Sequence, residues 1–129
     1  MKEYLCGMHH IGLPVKDMSA TIAFYSRLGA EVIFEKIVYE SGKPVRVVHL
    51  VLSNLLIEAY ERDETSGIAG AVDHIAIEVN DIEAVYRRVK EMGLTLMIDE
   101  IGISDYWPRP KRWFFVIGCN GEKIEFAQG

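Results

Sequence analysis

The feature that most constrains this chain is a direct repeat of its opening sequence. The run HIGLPVKD, from His10 to Asp17, returns as HIAIEVND from His74 to Asp81. The two copies continue in register without gaps as far as Gly29 and Gly93, which stand at matching positions. A repeat of this length predicts two structurally equivalent modules rather than one irregular domain.

Each module begins with the pattern of a half-buried strand followed by a helix. Ile11, Leu13 and Val15 alternate with other residues in the first module, and the second repeats the alternation. The aspartate that closes each repeated run is placed to cap a helix N-terminus. Gly29 and Gly93 are placed to end those helices, because a residue just beyond a helix often adopts the left-handed conformation that glycine tolerates.

Three further strand-like runs follow each helix, separated by turn residues. They are 31–39, 45–52 and 55–60 in the first module and 95–103, 112–117 and 123–127 in the second. The sequence therefore predicts an α+β fold of tandem βαβββ modules with curved mixed sheets. We assign 1–129 to a single domain, with modules at 7–60 and 72–128. The polar segment 61–71 joins them and is too short for independently tumbling domains.

Composition excludes several classes of function. The chain has 129 residues, a formal charge of −5 and a pI of about 5.3, which disfavours a general nucleic-acid binder. A secretory signal and a membrane helix are not expected, because the apolar runs are short, so we expect a cytoplasmic protein without membrane or nucleic-acid partners. Cys6 and Cys119 match no metal or redox motif, and we expect buried or inert thiols.

Four residues of the repeats point to a metal site. Strand alternation places His10 and His74 on the sheet face opposite the apolar residues that cover the helix. Glu58 and Glu125 stand between apolar neighbours on the last strand of each module, where a buried carboxylate needs a compensating cation or donor. Two neutral imidazoles and two carboxylates form a donor set for a divalent ion. A domain of this size folds without a structural metal, so such an ion would serve function.

Each of these residues also has a plainer interpretation. A single histidine on a strand is usually an ordinary structural residue, and a glutamate on an antiparallel strand usually faces solvent. Repetition in register favours the metal site. His9 and His49 have no partner in the repeat, and we interpret both as structural.

The repeated runs, with the endings Leu56-Ile57-Glu58 and Gly121-Glu122-Lys123-Ile124-Glu125, resemble the vicinal oxygen chelate superfamily. This superfamily includes glyoxalase I, methylmalonyl-CoA epimerase, extradiol dioxygenases, and fosfomycin and bleomycin resistance proteins. The resemblance covers nearly the whole chain. It implies curved sheets around a metal cleft and one divalent ion (Ni, Co, Zn, Mn or Fe) per site. The ligands it implies are His10, Glu58, His74 and Glu125.

The resemblance also implies a reaction. Extradiol dioxygenases and fosfomycin resistance enzymes use two histidines and one glutamate, and bleomycin-binding members generally lack the set. A four-ligand site with a second carboxylate, Glu58, resembles the site of a glyoxalase I-like lyase or isomerase. Such an enzyme transfers a proton next to a carbonyl through a metal-bound enediolate. By this resemblance Glu125 is the first choice for the catalytic base and Glu58 the second.

Two alternatives to glyoxalase I stay open. One is an epimerase of a 2-methyl acyl-CoA substrate, and the other is a non-catalytic small-molecule-binding protein of the resistance type. Pro14 and Arg62 stand where glutathione-using relatives commonly carry Arg and Asn, which disfavours glutathione. Glu40 lies near the position of a base that epimerases use, at a slightly different spacing.

The segment 105–113 concentrates cations between two tryptophans. Trp107, Arg109 and Arg112 are candidates to close over the cleft and bind an anionic substrate. The alternative is a solvated turn whose aromatic residues pack locally. We expect a small, anionic substrate and a homodimer, and the sequence leaves open whether the cleft forms within one chain or across two.

Overall fold

The computed structural model describes residues 1–4, 6, 8–104 and 109–129. Within this range the chain forms two compact units, Met1–Thr65 and Ser66–Gly129. We call them the first and second unit and describe each by itself.

The first unit contains one helix and one mixed sheet. After a short 3₁₀ helix at Lys2–Tyr4, its elements are β1 (Ile11–Val15), α1 (Met18–Arg27), β2 (Glu31–Glu40), β3 (Lys43–Leu52) and β4 (Leu55–Glu61). The strand order is β1-β4-β3-β2. The β1–β4 pair is parallel and the other pairs are antiparallel.

The second unit repeats this plan. Its elements are β5 (Ile75–Glu78), α2 (Ile82–Glu91), β6 (Thr95–Leu96), β7 (Gly102–Ser104), β8 (Lys111–Ile117) and β9 (Lys123–Gln128). The strand order is β5-β9-β8-β6, and β7 also pairs with β8. The outer pair β5–β9 is parallel, as β1–β4 is in the first unit. The predicted α+β class with mixed sheets is confirmed.

Both helices begin and end where the repeat predicts. The Asp17 carboxylate accepts a hydrogen bond from the Ala20 amide at 2.9 Å, and Asp81 accepts one from Ala84 at the same distance. The glycines one residue beyond the caps have positive φ, 101° at Gly29 and 67° at Gly93. Both signals lie in the local sequence, which is why the sequence alone located them.

Each helix covers one face of its sheet, and the apolar side chains on that face form the core. In the first unit Leu50 and Ile57 are buried beneath α1. In the second, Phe114 and Ile124 are buried beneath α2. Strand side chains alternate between faces, so the residues next to these in β3, β4, β8 and β9 lie on the opposite face. We call that face the open face of each sheet.

The predicted strand 95–103 is wrong in its middle part. The structure has β6 and β7 at its two ends, and 97–100 forms a bend. Asp99 accepts hydrogen bonds from Tyr86 and, at 2.7 Å, from Lys90, both on α2. These contacts hold the bend against the helix, and strand alternation alone could not reveal them.

Two further predictions concern the rest of the chain. Among the described residues, no helix is long and apolar enough to cross a membrane. Cys6 and Cys119 are both exposed and neither forms a disulfide, so the expectation that they could be buried is wrong.

Candidate functional site

In the first unit, Glu58 lies on the open face among imidazoles. The Glu58 Oε2 atom is 3.6 Å from His49 Nε2 and 4.0 Å from His10 Nε2. The Glu58 side chain is 37% exposed. The structure therefore brings together the predicted pair of His10 and Glu58, within reach of solvent.

His49 is a neighbour of Glu58 that the repeat could not reveal. The β3–β4 hairpin turns at Ser53 and places His49 directly opposite Glu58. Counting back from that two-residue turn would have found the pairing in the sequence. The His49 ring also packs against Phe34, with ring centroids 5.0 Å apart.

In the second unit, Glu125 occupies the corresponding place on β9 but is buried. Its side chain is 5% exposed, and its Oε2 atom is 3.0 Å from His74 Nε2. Glu125 pairs with Ala76 across the parallel strands, which puts the His74 side chain on the same face of the sheet. The predicted pair of His74 and Glu125 is therefore in direct contact.

Lys111 is the cation that buried Glu125 requires. The Lys111 Nζ atom is 2.8 Å from Glu125 Oε1, and the Lys111 side chain is 16% exposed. The sequence predicts that a metal ion compensates this buried carboxylate, and in the structure a lysine ammonium lies next to it. Lys111 shares the open face with Phe115, the residue opposite Glu125, and that alternation is the signal that could have found it.

The imidazole of His74 is oriented through Nδ1, the ring nitrogen that does not contact Glu125. His74 Nδ1 is 2.9 Å from Asp73 Oδ2, and Lys123 Nζ donates to Asp73 Oδ1 at 2.9 Å. The hydrogen bond from Lys123, followed by that from His74, lowers the pKa of the Asp73 carboxyl. A carboxylate on one nitrogen of an imidazole directs the other nitrogen at a ligand. Phe115 further restrains the ring through an edge contact with centroids 5.1 Å apart.

The three residues predicted to bind an anionic substrate lie in different surroundings. Arg112 is ion-paired with Glu83 of α2, so it points to the helix side of the sheet, away from the face of Lys111 and Glu125. The hydrogen bond to Arg112 is the main cause of a lowered pKa at Glu83. Arg109 is exposed. Trp107 lies outside the described residues.

The two positions that disfavour glutathione lie near Tyr60 in the first unit. The Arg62 guanidinium is 3.0 Å from Glu40 Oε2 and stacks over the Tyr60 ring at 4.6 Å from its centroid. Pro14 pairs with Tyr60 in the β1–β4 register. Arg62 is therefore held by a carboxylate and an aromatic ring at once.

Two donor atoms of the second unit, His74 Nε2 and Glu125 Oε2, have the separation expected of two ligands of one divalent ion. Two ligands at right angles, with bonds of roughly 2.1 Å, stand roughly 3 Å apart. The separation between His74 Nε2 and Glu125 Oε2 matches this value, and the contacts of Glu58 with His49 and His10 are somewhat longer. In ranges 1–4, 6, 8–104 and 109–129, no group of three or more His, Cys, Asp or Glu is arranged to hold an ion.

The chain resembles known proteins in both sequence and structure. The Glyoxalase/Bleomycin resistance protein/Dioxygenase superfamily model matches residues 7–101. Human mitochondrial methylmalonyl-CoA epimerase is 27% identical over an alignment 129 positions long, which covers 94% of this chain and 73% of the human protein.

Two solved structures share the fold. A glyoxalase family protein from Enterococcus faecalis matches with a TM-score of 0.78 and 22% identity, covering 96% of this chain and 98% of that one. The fosfomycin resistance protein FosX from Listeria monocytogenes, solved with Mn(II) and sulfate, matches with a TM-score of 0.73 and 20% identity. The coverage is 97% of this chain and 93% of that one.

Proposed function

The chain belongs to the Glyoxalase/Bleomycin resistance protein/Dioxygenase superfamily, and from this premise we propose that it is a metal-dependent enzyme that moves a proton next to a carbonyl. The proposed ligands of one divalent ion are His10, Glu58, His74 and Glu125. The FosX relative holds Mn(II), which supports a divalent ion in this fold. When bound, such an ion polarises a substrate carbonyl and so acidifies the neighbouring C–H bond.

The observation that carries this proposal is the buried Glu125 carboxylate in contact with His74. Burial keeps bulk water away from this carboxylate, since the Glu125 side chain is 5% exposed. Glu125 removes the proton from the carbon next to the carbonyl. His74, oriented by Asp73, directs Nε2 at the same carboxylate oxygen.

Inversion of configuration at carbon requires a second proton carrier, because the proton must arrive on the opposite side. Glu58 is our choice for this carrier. Its side chain is 37% exposed, so it can exchange its proton with solvent between turnovers. Glu125 is buried and holds the proton it has removed while Glu58 delivers one to the other side of the carbon. Before the next turnover Glu125 releases its proton to water and Glu58 takes one up.

We propose a 2-methyl acyl thioester as the substrate, ahead of the glutathione adduct of glyoxalase I. The human relative acts on methylmalonyl-CoA by its name and matches along 94% of the chain. Arg62, bound to Glu40, stands where glutathione users commonly carry Asn. Glu40 itself lies near the position of an epimerase base.

The test combines metal analysis with turnover. Purified protein would be stripped, reloaded with Mn, Co, Ni, Zn or Fe, and assayed on 2-methyl acyl-CoA thioesters and on 2-oxoaldehyde thiol adducts. We expect metal-dependent epimerisation of the thioesters. Turnover of the methylglyoxal–glutathione adduct with kcat/KM above about 10⁶ M⁻¹s⁻¹ would make the protein a glyoxalase I instead. Ligand binding without turnover of either class would indicate a sequestering protein.

A further inference from the structure

Lys111 and Glu125 form an ion pair that is largely shielded from solvent. The ammonium and carboxylate are 2.8 Å apart, with side chains 16% and 5% exposed. Burying two charges is costly, and removal of one partner alone leaves the other uncompensated. The chain nevertheless places this pair beside His74, on the carboxylate to which we assign the proton transfer.

The two oxygens of Glu125 have different partners. Oε1 faces the Lys111 ammonium at 2.8 Å, and Oε2 faces the His74 imidazole at 3.0 Å. We propose that Lys111 is a positioning residue that reserves Oε1, so that Glu125 offers a divalent ion only Oε2. This inference rests on the proposed function, because it concerns the ion proposed there.

The first unit shows the same fold position without this arrangement. Glu58 Oε2 faces His49 and His10 at 3.6 and 4.0 Å, and its side chain is 37% exposed. An ammonium repels a metal cation, whereas an imidazole is itself a common metal ligand. Lys111 therefore gives the second unit a carboxylate that binds an ion more weakly and in one orientation.

A measurable consequence follows for metal affinity. In Lys111→Met the ammonium is lost and Oε1 is released, so both carboxylate oxygens can bind the ion. We expect Mn(II) to bind about tenfold more tightly or better, equivalent to about 1.4 kcal/mol or more. The Mn(II) EPR spectrum should also change with the new oxygen ligand. Lys111→Arg keeps a cationic donor on Oε1 and should behave like the parent.

The experiment is a Mn(II) titration followed by EPR at pH 8 on the full chain. The variants are Lys111→Met, Lys111→Gln and Lys111→Arg. Lys111→Gln removes the charge but keeps an N–H donor, in case the methionine variant does not fold. The control is Lys90→Met, which removes the same charge from the same unit, where Lys90 pairs with Asp99 on the surface.

The outcomes separate the two proposals. Tighter binding in a folded neutral variant, with the parent affinity in Lys111→Arg and Lys90→Met, supports the positioning role. A parent that binds no Mn(II) overturns the proposed function and this inference with it. A parent that binds Mn(II), with neutral variants no tighter than Lys90→Met, overturns this inference alone. Failure of both neutral variants to fold, while Lys111→Arg folds, also overturns it in favour of a structural ion pair.

Discussion

The two units carry glutamates at the same fold position in different surroundings. Glu58 is 37% exposed and lies 3.6 Å from His49 and 4.0 Å from His10, whereas Glu125 is 5% exposed and lies 2.8 Å from Lys111. Strand register sets where each carboxylate lies, and neighbouring strands set its charge environment. Equivalent position in a repeat therefore does not imply equivalent chemistry. We expect Glu58 to serve mainly as ligand and solvent-exchanging proton carrier, and Glu125 as the base.

The largest expected effect is the loss of metal binding when the imidazole of His74, which contacts the buried Glu125, is removed. His74→Ala should abolish stoichiometric binding, because His74 contacts the least exposed carboxylate and is itself oriented by Asp73. Calorimetric titration with Mn(II) measures this. An unchanged stoichiometry and affinity in His74→Ala would show that the ligand set is wrong.

The same titration can be applied to the two histidines that lie near Glu58 in the first unit. His10→Ala should weaken metal binding, and His49→Ala should leave it largely intact, although His49 lies nearer to Glu58 in the structure. The reason is that the repeated run contains His10 and not His49. Equal losses in the two variants would make His49 a ligand.

The next effect in size concerns the rate. Glu125→Gln should fold and lose about 100-fold or more in kcat, or about 3 kcal/mol of barrier, as expected for an essential general base. Glu58→Gln should lose less, because solvent reaches that position and water can carry a proton. Steady-state kinetics with saturating metal measures both. Similar losses in the two variants would remove the distinction between the units, and full activity in Glu125→Gln would exclude it as the base.

A smaller effect is expected for the proposed anion clamp. Arg109→Gln should raise KM by about fivefold with little change in kcat, because holding a remote anion contributes equally to ground and transition states. The loss should shrink in high salt. Arg112→Gln serves as the control, since Arg112 is committed to Glu83 on the helix side. An equal KM increase in both variants would show that the two arginines act together.

The smallest effect is on acid stability. The pKa of Asp99 lies below its ordinary value of 3.8, first because Lys90 donates to it and then because Tyr86 does. A lowered pKa stabilises the fold above the ordinary value, and this contribution is lost as the pH falls through the lowered one. Asp99→Asn should therefore lower the urea midpoint more at neutral pH than near pH 3. The difference between the midpoints at these two pH values should be smaller in the variant than in the parent. Glu64→Gln, at an exposed site, is the control.

The sequence predicted those parts of the molecule that depend on local signals. Asp17 and Gly29 delimit the first helix through their own backbone preferences, and the repeat transfers that prediction to the second. Alternation predicted that His74 and Glu125 share a face. It also places Lys111 on that face, but it does not predict the ion pair with Glu125, because a contact reaching along the sheet depends on side-chain length and burial. The contacts of Asp99 were not predictable either, because its partners Tyr86 and Lys90 lie on a helix.

The most direct test of the central claim is deuterium exchange at the carbon next to the substrate carbonyl. Metal-loaded protein in D₂O would be mixed with a 2-methyl acyl-CoA thioester, and the loss of the C–H signal followed by proton NMR. The account predicts metal-dependent exchange in the parent, reduced about 100-fold or more in Glu125→Gln. Exchange at the same rate in both proteins would contradict the account, and so would metal-loaded parent protein that binds the thioester without exchanging this proton.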